Sequence, residues 1–430
     1  MLVSLEVRAP VGEPHTDDVA ALKPWRIDHR GDDPRPAERQ QRSGDGLTVG
    51  AASIEQLRER FPRVAVVHDW LTIPGGSEDV VMELLQMFPQ AEIFTSVYDP
   101  EPWPEIITQR PVHPSPLSRI PGATRHYPKL LPLMTAAMRS FDFSGFDLVL
   151  SSSHACAKNV RTPAHALHVC YCHTPMRYAW DESLLEGEEI GRATRLALPL
   201  MLRRLRRQDV EGAASPDVFV ANSQHVADRI RRYYNRPAEV VNPPVDVSRL
   251  LALPRTPGDC YLVFGRVVPY KRVDLAVSAC AQIQRPLKVA GSGRGLRAVQ
   301  SLAVGKGEIE LLGRVGDSER DALMCGARAL LFPGEEDFGI VPVESQAAGL
   351  PVIAYRVGGA SETVLDGRTG VLFDEQTAPS LAAAIERFEG LKLDERAIRE
   401  NAARFGRERF RAEMAAVIER AADARTLTAA

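Results

Sequence analysis

An α/β protein of two doubly wound domains is the fold class this sequence predicts, on three grounds. Short apolar runs of strand composition alternate with longer helical segments, which implies mostly parallel sheets covered on both faces. A proline-rich stretch over residues 242–258 breaks that rhythm, and the alternation then restarts. A chain of 430 residues, 44% hydrophobic and 25% charged, is long enough for two such cores.

In chain order, the first stretch, from Met1 to about Ile54, is rich in Pro, Gly, Asp and Arg and has no sustained apolar period. A disordered extension is therefore expected over residues 1–58. The first domain, residues 59–245, opens with Val64-Ala-Val-Val-His-Asp-Trp, a glycine turn containing Gly75-Gly76-Ser77, and the helix-like Asp79-Val-Val-Met-Glu-Leu-Leu. Further strands are expected within 92–98, 147–153, 168–173 and 218–223. The second domain, residues 259–392, has apolar runs beginning at Tyr261, Leu287, Ile309, Ala329, Pro351 and Gly370. Residues 393–430 are Ala-, Arg- and Glu-rich and read as terminal helices packing back toward the first domain.

Composition excludes several classes. A net charge of -3 argues against a general nucleic-acid binder. No apolar run reaches spanning length and the amino terminus lacks a signal-peptide pattern, so a cytoplasmic location is expected. The six cysteines, Cys170 and Cys172 among them, have neither paired metal-site spacing nor the pattern of a small secreted framework, as suits reduced thiols.

The segment Pro333-Gly-Glu-Glu-Asp-Phe-Gly-Ile-Val-Pro-Val-Glu-Ser carries the clearest chemistry. It sets Glu336 on a strand-to-helix loop and Glu344 inside the helix, with Pro342 suited to the first turn. The amides of Gly339, Ile340 and Val341 at the helix start would favour an anion between two acids that accept from hydroxyls. A glutamate that merely complements the helix dipole is the plainer reading. Gly265-Arg-Val-Val-Pro-Tyr-Lys follows the first strand of the second domain and places Arg266 and Lys271 on a crevice loop. Arginine suits bidentate phosphate contacts and lysine acts as a point charge, although surface ion pairs would need the same residues. Ala290-Gly-Ser-Gly-Arg-Gly, with Gly291, resembles a phosphate-binding turn, and Gly313-Arg-Val-Gly-Asp reads either as a ligand loop or as a tight turn.

In this order the motifs resemble the retaining family 4 glycosyltransferases of the GT-B fold, which share a Gly-Arg…Lys loop and two glutamates separated by seven residues. Arg266, Lys271, Glu336 and Glu344 match that pattern, and the resemblance runs from about Val64 to Ala424. It implies two Rossmann-like domains facing a cleft, with a sugar nucleotide held mainly by the second and no cofactor besides that co-substrate. It implies that Arg266 and Lys271 bind the donor diphosphate, that Glu344 accepts from ribose hydroxyls, and that Glu336 contacts the transferred sugar. Amides near Gly339 and Ile340 would complete the phosphate cradle, and Arg314 and Val315 would meet the base. The Gly75-Gly76 loop would lie against acceptor and donor phosphates. His173 matches a cleft histidine that contacts the transferred sugar, and His154 is a second candidate. The chain has no Asp-x-Asp triplet, in agreement with a metal-independent enzyme.

The runs Ser151-Ser-Ser-His-Ala-Cys-Ala-Lys and Tyr171-Cys-His-Thr-Pro-Met-Arg-Tyr-Ala-Trp look like those of bacterial mannosyltransferases of cell-surface polysaccharide assembly. That resemblance implies GDP-mannose as donor and a glycan or lipid-linked acceptor. UDP-glucose or UDP-galactose would fit the same residues, as would a glycoside phosphorylase or a non-enzymatic nucleotide-binding protein. Residues 192–207 join an apolar stretch to a basic cluster suited to the inner face of the plasma membrane, or to a solvated helix face beside a core stripe; Pro199 interrupts them. Tyr127-Pro-Lys-Leu-Leu-Pro-Leu-Met is a second segment that would shape a lipid or acceptor surface.

Overall fold

The computed structural model describes residues 51–181 and 192–429. Seven strands form the first sheet: β1 (Val64–His68), β2 (Glu92–Thr95), β3 (Val112–Pro114), β4 (Leu148–Ser153), β5 (Leu167–Cys172), β6 (Val218–Ala221) and β7 (Glu239–Val240). They pair in the order β3-β2-β1-β4-β5-β6-β7, parallel throughout, with Val66 opposite Ile93 and Leu150. Six strands form the second: β8 (Tyr261–Phe264), β9 (Leu287–Ala290), β10 (Ile309–Gly313), β11 (Leu330–Phe332), β12 (Val352–Tyr355) and β13 (Gly370–Phe373). Their order is β10-β9-β8-β11-β12-β13, again parallel.

Buried strands such as Val64–His68 and Leu148–Ser153 have apolar residues on both faces, since helices cover each side of the sheet. The helix Gln224–Tyr234 shows how local chemistry sets its bounds. Ser223 caps it by accepting from the Val226 amide at 3.1 Å, Val226, Ala227, Ile230 and Tyr234 form its buried stripe, and Asn235 ends it in the left-handed conformation.

The predicted strands are present, and β3 and β7 are additions. Both are short edge strands, three and two residues long, below the length at which alternation is legible. Most of the expected extension lies outside the described residues. Its last part is a correction: Ala51–Arg60 is a helix that crosses the boundary set at residue 58, held by Leu57, with Phe61 buried just beyond it. With Ile54 packed beside them and Arg58 donating to the Met87 and Gln86 carbonyls at 2.7 and 3.0 Å, they dock the helix on a core already built by others.

The chain passes between domains twice. The proline-rich stretch does not hang free: the helix Val247–Leu251 packs with Phe338, Val343 and Phe405, and the Val245 amide donates to the Phe405 carbonyl at 3.0 Å. The last helix, Arg407–Ala429, then returns to the first domain, where Phe410, Met414 and Ile418 join the core of Val64 and Val66. Arg407 and Arg411 close on the buried Glu83 carboxylate at 2.8 and 2.6 Å. Among the described residues, no helix is long and apolar enough to cross a membrane.

Candidate active site

The carboxyl ends of both sheets face one cleft, where doubly wound folds bind ligands. From the second domain, β8 leads into a turn, Pro269–Lys271, and β11 leads into the loop carrying Glu336. The Lys271 ammonium lies 2.7 Å from the Glu336 carboxylate, both half-buried. Arg266 is exposed on the same basic loop, and its guanidinium donates to the Tyr270 hydroxyl at 3.3 Å. Behind the loop, a Cβ on Gly291 would stand 1.8 Å from the Gly265 carbonyl oxygen, so two strand-to-helix turns pack backbone against backbone. That approach explains the glycine without a ligand.

The helix Ile340–Ala347 starts at Gly339, whose φ of 86° is left-handed. Its start packs against the first domain: Ile340 Cδ1 would lie 2.3 Å from any Cβ at Gly76. Gly75 precedes the helix Gly76–Met87 in extended backbone. One turn into the second-domain helix, burial raises the Glu344 carboxyl above its ordinary range, opposed by Arg320 and Arg249. Arg314 is exposed just beyond β10, and Val315 packs partly against the core of that domain.

The first domain supplies a relay of buried polar groups at the ends of β1 and β4. Glu78 approaches His68 Nε2 at 3.1 Å; His68 Nδ1 sits 3.0 Å from the Ser152 carbonyl and 3.1 Å from its hydroxyl; and that hydroxyl meets His173 Nε2 at 2.8 Å. Burial works against charge on His68, yet its bond to Glu78 raises the imidazole above its ordinary value. Glu78 is lowered, its bond to His68 overcoming burial. The hydrogen bond between them thus favours the charged form of each against burial. Burial, with His154 and His68 adding to it, takes His173 down to about 3, so His173 is neutral and accepts from Ser152 when His68 donates to the carbonyl.

Asp69 anchors the neighbouring loop. Its carboxylate accepts from the amides of His154, Ala155, Cys156 and Ala157 at 2.6, 3.0, 2.6 and 2.5 Å. Despite full burial, His154, His68 and those amides hold it at about 2. His154 sits 3.1 Å from Asp69 and edge-on to Trp70, and its ring centroid is 6.2 Å from that of His173.

The residues flanking Glu336 fasten the domains together. Asp337 pairs with Arg177 and Arg229 of the first domain, each at 3.1 Å, and its carbonyl accepts from the Ser223 hydroxyl at 2.6 Å. Glu362 accepts from the amides of Gln224 and His225 at 2.9 and 3.1 Å, at the start of the same helix. The loop that carries Glu336 is also the latch between domains.

The structure therefore gathers Gly75, Gly76, Lys271, Glu336, Gly339 and Ile340 around the cleft and sets His173 on its first-domain side. Sequence reasoning missed His68, Asp69, Glu78, Ser152 and Asp337. A signal existed for His68, Asp69 and Ser152: polar residues at the carboxyl ends of otherwise apolar runs, in a sheet buried on both faces, whereas Glu78 sits in the first turn of a helix, where an acid is ordinary. Asp337 gave none, since its partners lie more than a hundred residues away.

Two doubly wound domains facing each other in this way make the GT-B fold, and solved structures share it. A lipopolysaccharide outer core galactosyltransferase in its apo form aligns over 83% of this chain and 99% of its own, with TM-score 0.59 and 15% identity. Anabaena HepE in complex with UDP aligns over 83% and 99%, with TM-score 0.58 and 18% identity. Two family models match the chain: residues 74–249 match the family described as Glycosyltransferase Family 4 and residues 254–405 the one described as Glycosyl transferases group 1. It is similar to a D-inositol 3-phosphate glycosyltransferase of Nocardioides, 29% identical over 52% of this chain and 53% of that protein. The chain spans about half the length of such curated relatives.

Proposed function

We propose that this protein transfers a hexose from a nucleotide sugar, GDP-mannose first among candidates, to a glycan or lipid-linked acceptor in cell-envelope polysaccharide synthesis. Configuration is retained, and neither metal nor further cofactor takes part. The observation that carries this reading is the Lys271–Glu336 pair at 2.7 Å, set beside a helix start that faces the glycine turn of the other domain.

In this mechanism Arg266 and Lys271 neutralise the departing diphosphate while the amides at Gly339, Ile340 and Val341 stabilise its oxygens. Glu336 orients the transferred sugar, Glu344 accepts from the ribose, and Arg314 with Val315 borders the base. His173, neutral and held by Ser152, offers its ring to the sugar. The acceptor hydroxyl attacks from the leaving-group side of an oxocarbenium-like sugar.

Contact with an anionic membrane surface belongs to the same proposal. Pro199 lies inside the helix Arg192–Gly212, where Leu200 and Met201 are exposed beside Arg203, Arg204 and Arg207, and Leu133 is exposed on the helix Leu131–Arg139.

Consumption of GDP-mannose, UDP-glucose and UDP-galactose, with product linkage read by NMR, tests the proposal. Lys271→Ala and Glu336→Ala should abolish turnover without unfolding; retained turnover overturns the assigned roles. Dependence on inorganic phosphate instead of a nucleotide would identify a phosphorylase. D-inositol 3-phosphate, the acceptor class named for the relatives, belongs in the acceptor panel.

A further inference from the structure

Glu78, His68 and Ser152 are buried polar residues that make no direct contact in the reaction proposed above. Buried polar groups cost stability unless each meets a partner, so a linked set of them beside a ligand cleft is costly to keep for packing alone. The set leads to His173, which is only half-buried. Ser152 occupies its Nε2, which leaves Nδ1 as the ring nitrogen that a ligand meets.

The proton positions follow from which atoms can only accept. The Glu78 carboxylate lies 3.1 Å from His68 Nε2 and the Ser152 carbonyl 3.0 Å from Nδ1, so both ring nitrogens of His68 face such oxygens. A proton on each nitrogen answers both. A neutral His68 would keep its proton for Glu78 and turn a bare Nδ1 toward the carbonyl, relieved only by drawing in the Ser152 hydroxyl proton from 3.1 Å. Burial opposes the cation, but Glu78, Asp69 and the Ser152 carbonyl all favour it. His154, whose ring centroid is 6.0 Å away, is itself held toward the neutral form by burial and adds little opposing charge.

Ser152 passes this choice on. Its hydroxyl touches both rings, at 3.1 Å from His68 Nδ1 and 2.8 Å from His173 Nε2. With a donor on His68, the hydroxyl proton goes to His173 Nε2, and the single proton of the neutral His173 ring sits on Nδ1. With a bare His68 Nδ1 the hydroxyl turns its proton there and accepts from His173 Nε2–H, which leaves His173 Nδ1 bare.

We infer that Glu78, His68 and Ser152 are positioning residues: with His68 protonated on both nitrogens, they fix His173 as the Nδ1–H tautomer, so that it presents a hydrogen-bond donor to an oxygen of its ligand. That the ligand is the transferred sugar rests on the transferase reading, whereas the tautomer does not. The glycine turn gains a second duty, because Glu78 lies two residues beyond Gly76, in the first turn of the helix Gly76–Met87.

Long-range proton–nitrogen NMR correlation on the full chain carrying nitrogen-labelled histidine tests this, since it separates imidazolium, Nδ1–H and Nε2–H rings. His68→Gln and His173→Gln assign the two signals among the ten histidines. Near neutral pH the wild type should show His173 as Nδ1–H. Ser152→Ala should turn it into a mixture of tautomers and lower kcat/KM about ten-fold, the scale of one hydrogen bond, with circular dichroism unchanged. Glu78→Gln should make His68 lose its second proton at a lower pH than in the wild type, which tests the outer end of the relay even where Ser152→Ala fails to fold. His173 found as Nε2–H in the wild type, an unaltered tautomer or unaltered kcat/KM in folded Ser152→Ala, or an unmoved His68 titration in Glu78→Gln overturns the relay. None of the spectra needs a donor, so failure of the transferase reading shows separately: His173 would still be Nδ1–H, and the wild type would turn over no donor of the panel.

Discussion

Gly334→Ala is the sharpest perturbation of the proposed reaction centre. Gly334 lies between β11 and Glu336, and a Cβ there would stand 2.7 Å from Lys271 Cα, 3.0 Å from the Tyr270 carbonyl oxygen and 3.1 Å from the Lys271 carbonyl carbon. Carbon atoms in contact rest about 3.5–4.0 Å apart, so the two loops must separate by about 1 Å. These neighbours are backbone atoms and cannot swing aside as a side-chain tip can. The ion pair at 2.7 Å spans that same contact. A shift of about 1 Å in a reacting constellation costs about a hundred-fold in rate, equivalent to about 2.7 kcal/mol of transition-state stabilisation. The assay is nucleoside diphosphate release with whichever donor of the proposed panel turns over, alongside a urea melt, since overpacking costs about 1–3 kcal/mol of stability. Gly326→Ala, with nothing within 4 Å of its added Cβ, is the control and should behave as wild type. A folded Gly334→Ala protein retaining kcat/KM within about three-fold of wild type would refute the claim that this loop contact sets the geometry of the pair.

Three further outcomes are expected. Asp337→Ala leaves Arg177 and Arg229, only 17% and 14% exposed, without their shared carboxylate. About 3 kcal/mol of interdomain stabilisation should be lost, and solution X-ray scattering should show a larger radius of gyration; unchanged scattering would move the latch elsewhere. Lys158→Ala removes the ammonium from Asp209 in a site where both are buried, while Trp180 and Tyr234 also donate to Asp209, and should cost about 3–5 kcal/mol. A loss below 1 kcal/mol, read from the urea midpoint, would mean that the aspartate is satisfied without the lysine. Burial pushes the His168 imidazole down to about 4, whereas an unfolded histidine titrates near 6.5. The unfolded chain thus binds a proton that the fold refuses between those values, and stability should fall as pH drops from about 6.5 to about 4, with His168 contributing about 3 kcal/mol and the likewise neutral His173 adding to the fall in the same window. His168→Gln should remove the His168 share and make that part of the urea-midpoint profile shallower, and an unaltered profile would rule His168 out as a source.

Legibility in the sequence followed the range of the physics. Val64–His68 and Leu330–Phe332 were readable because a strand buried on both faces needs an unbroken apolar run, which is local. The Glu336 loop and the Gly339 helix start were readable for the same reason, since capping and turn chemistry act within a few residues. The edge strands β3 and β7 were too short to show a period. The helix Ala51–Arg60 was hidden because its few apolar residues gain meaning only against a core supplied by distant segments.

By itself, the sequence determined two parallel-sheet domains, the break between them, the loops on which the basic residues and Glu336 sit, and the helix that carries Glu344. Tertiary structure alone decided that Lys271 meets Glu336, that Glu78, His68 and Ser152 form a relay to His173, and that Asp337 ties the loop to Arg177 and Arg229. Strand and turn preferences are set by neighbours along the chain. Ion pairs and buried hydrogen bonds depend on which strand lies beside which, and β1 lies beside β4 only because a crossover of some eighty residues returns the chain to it.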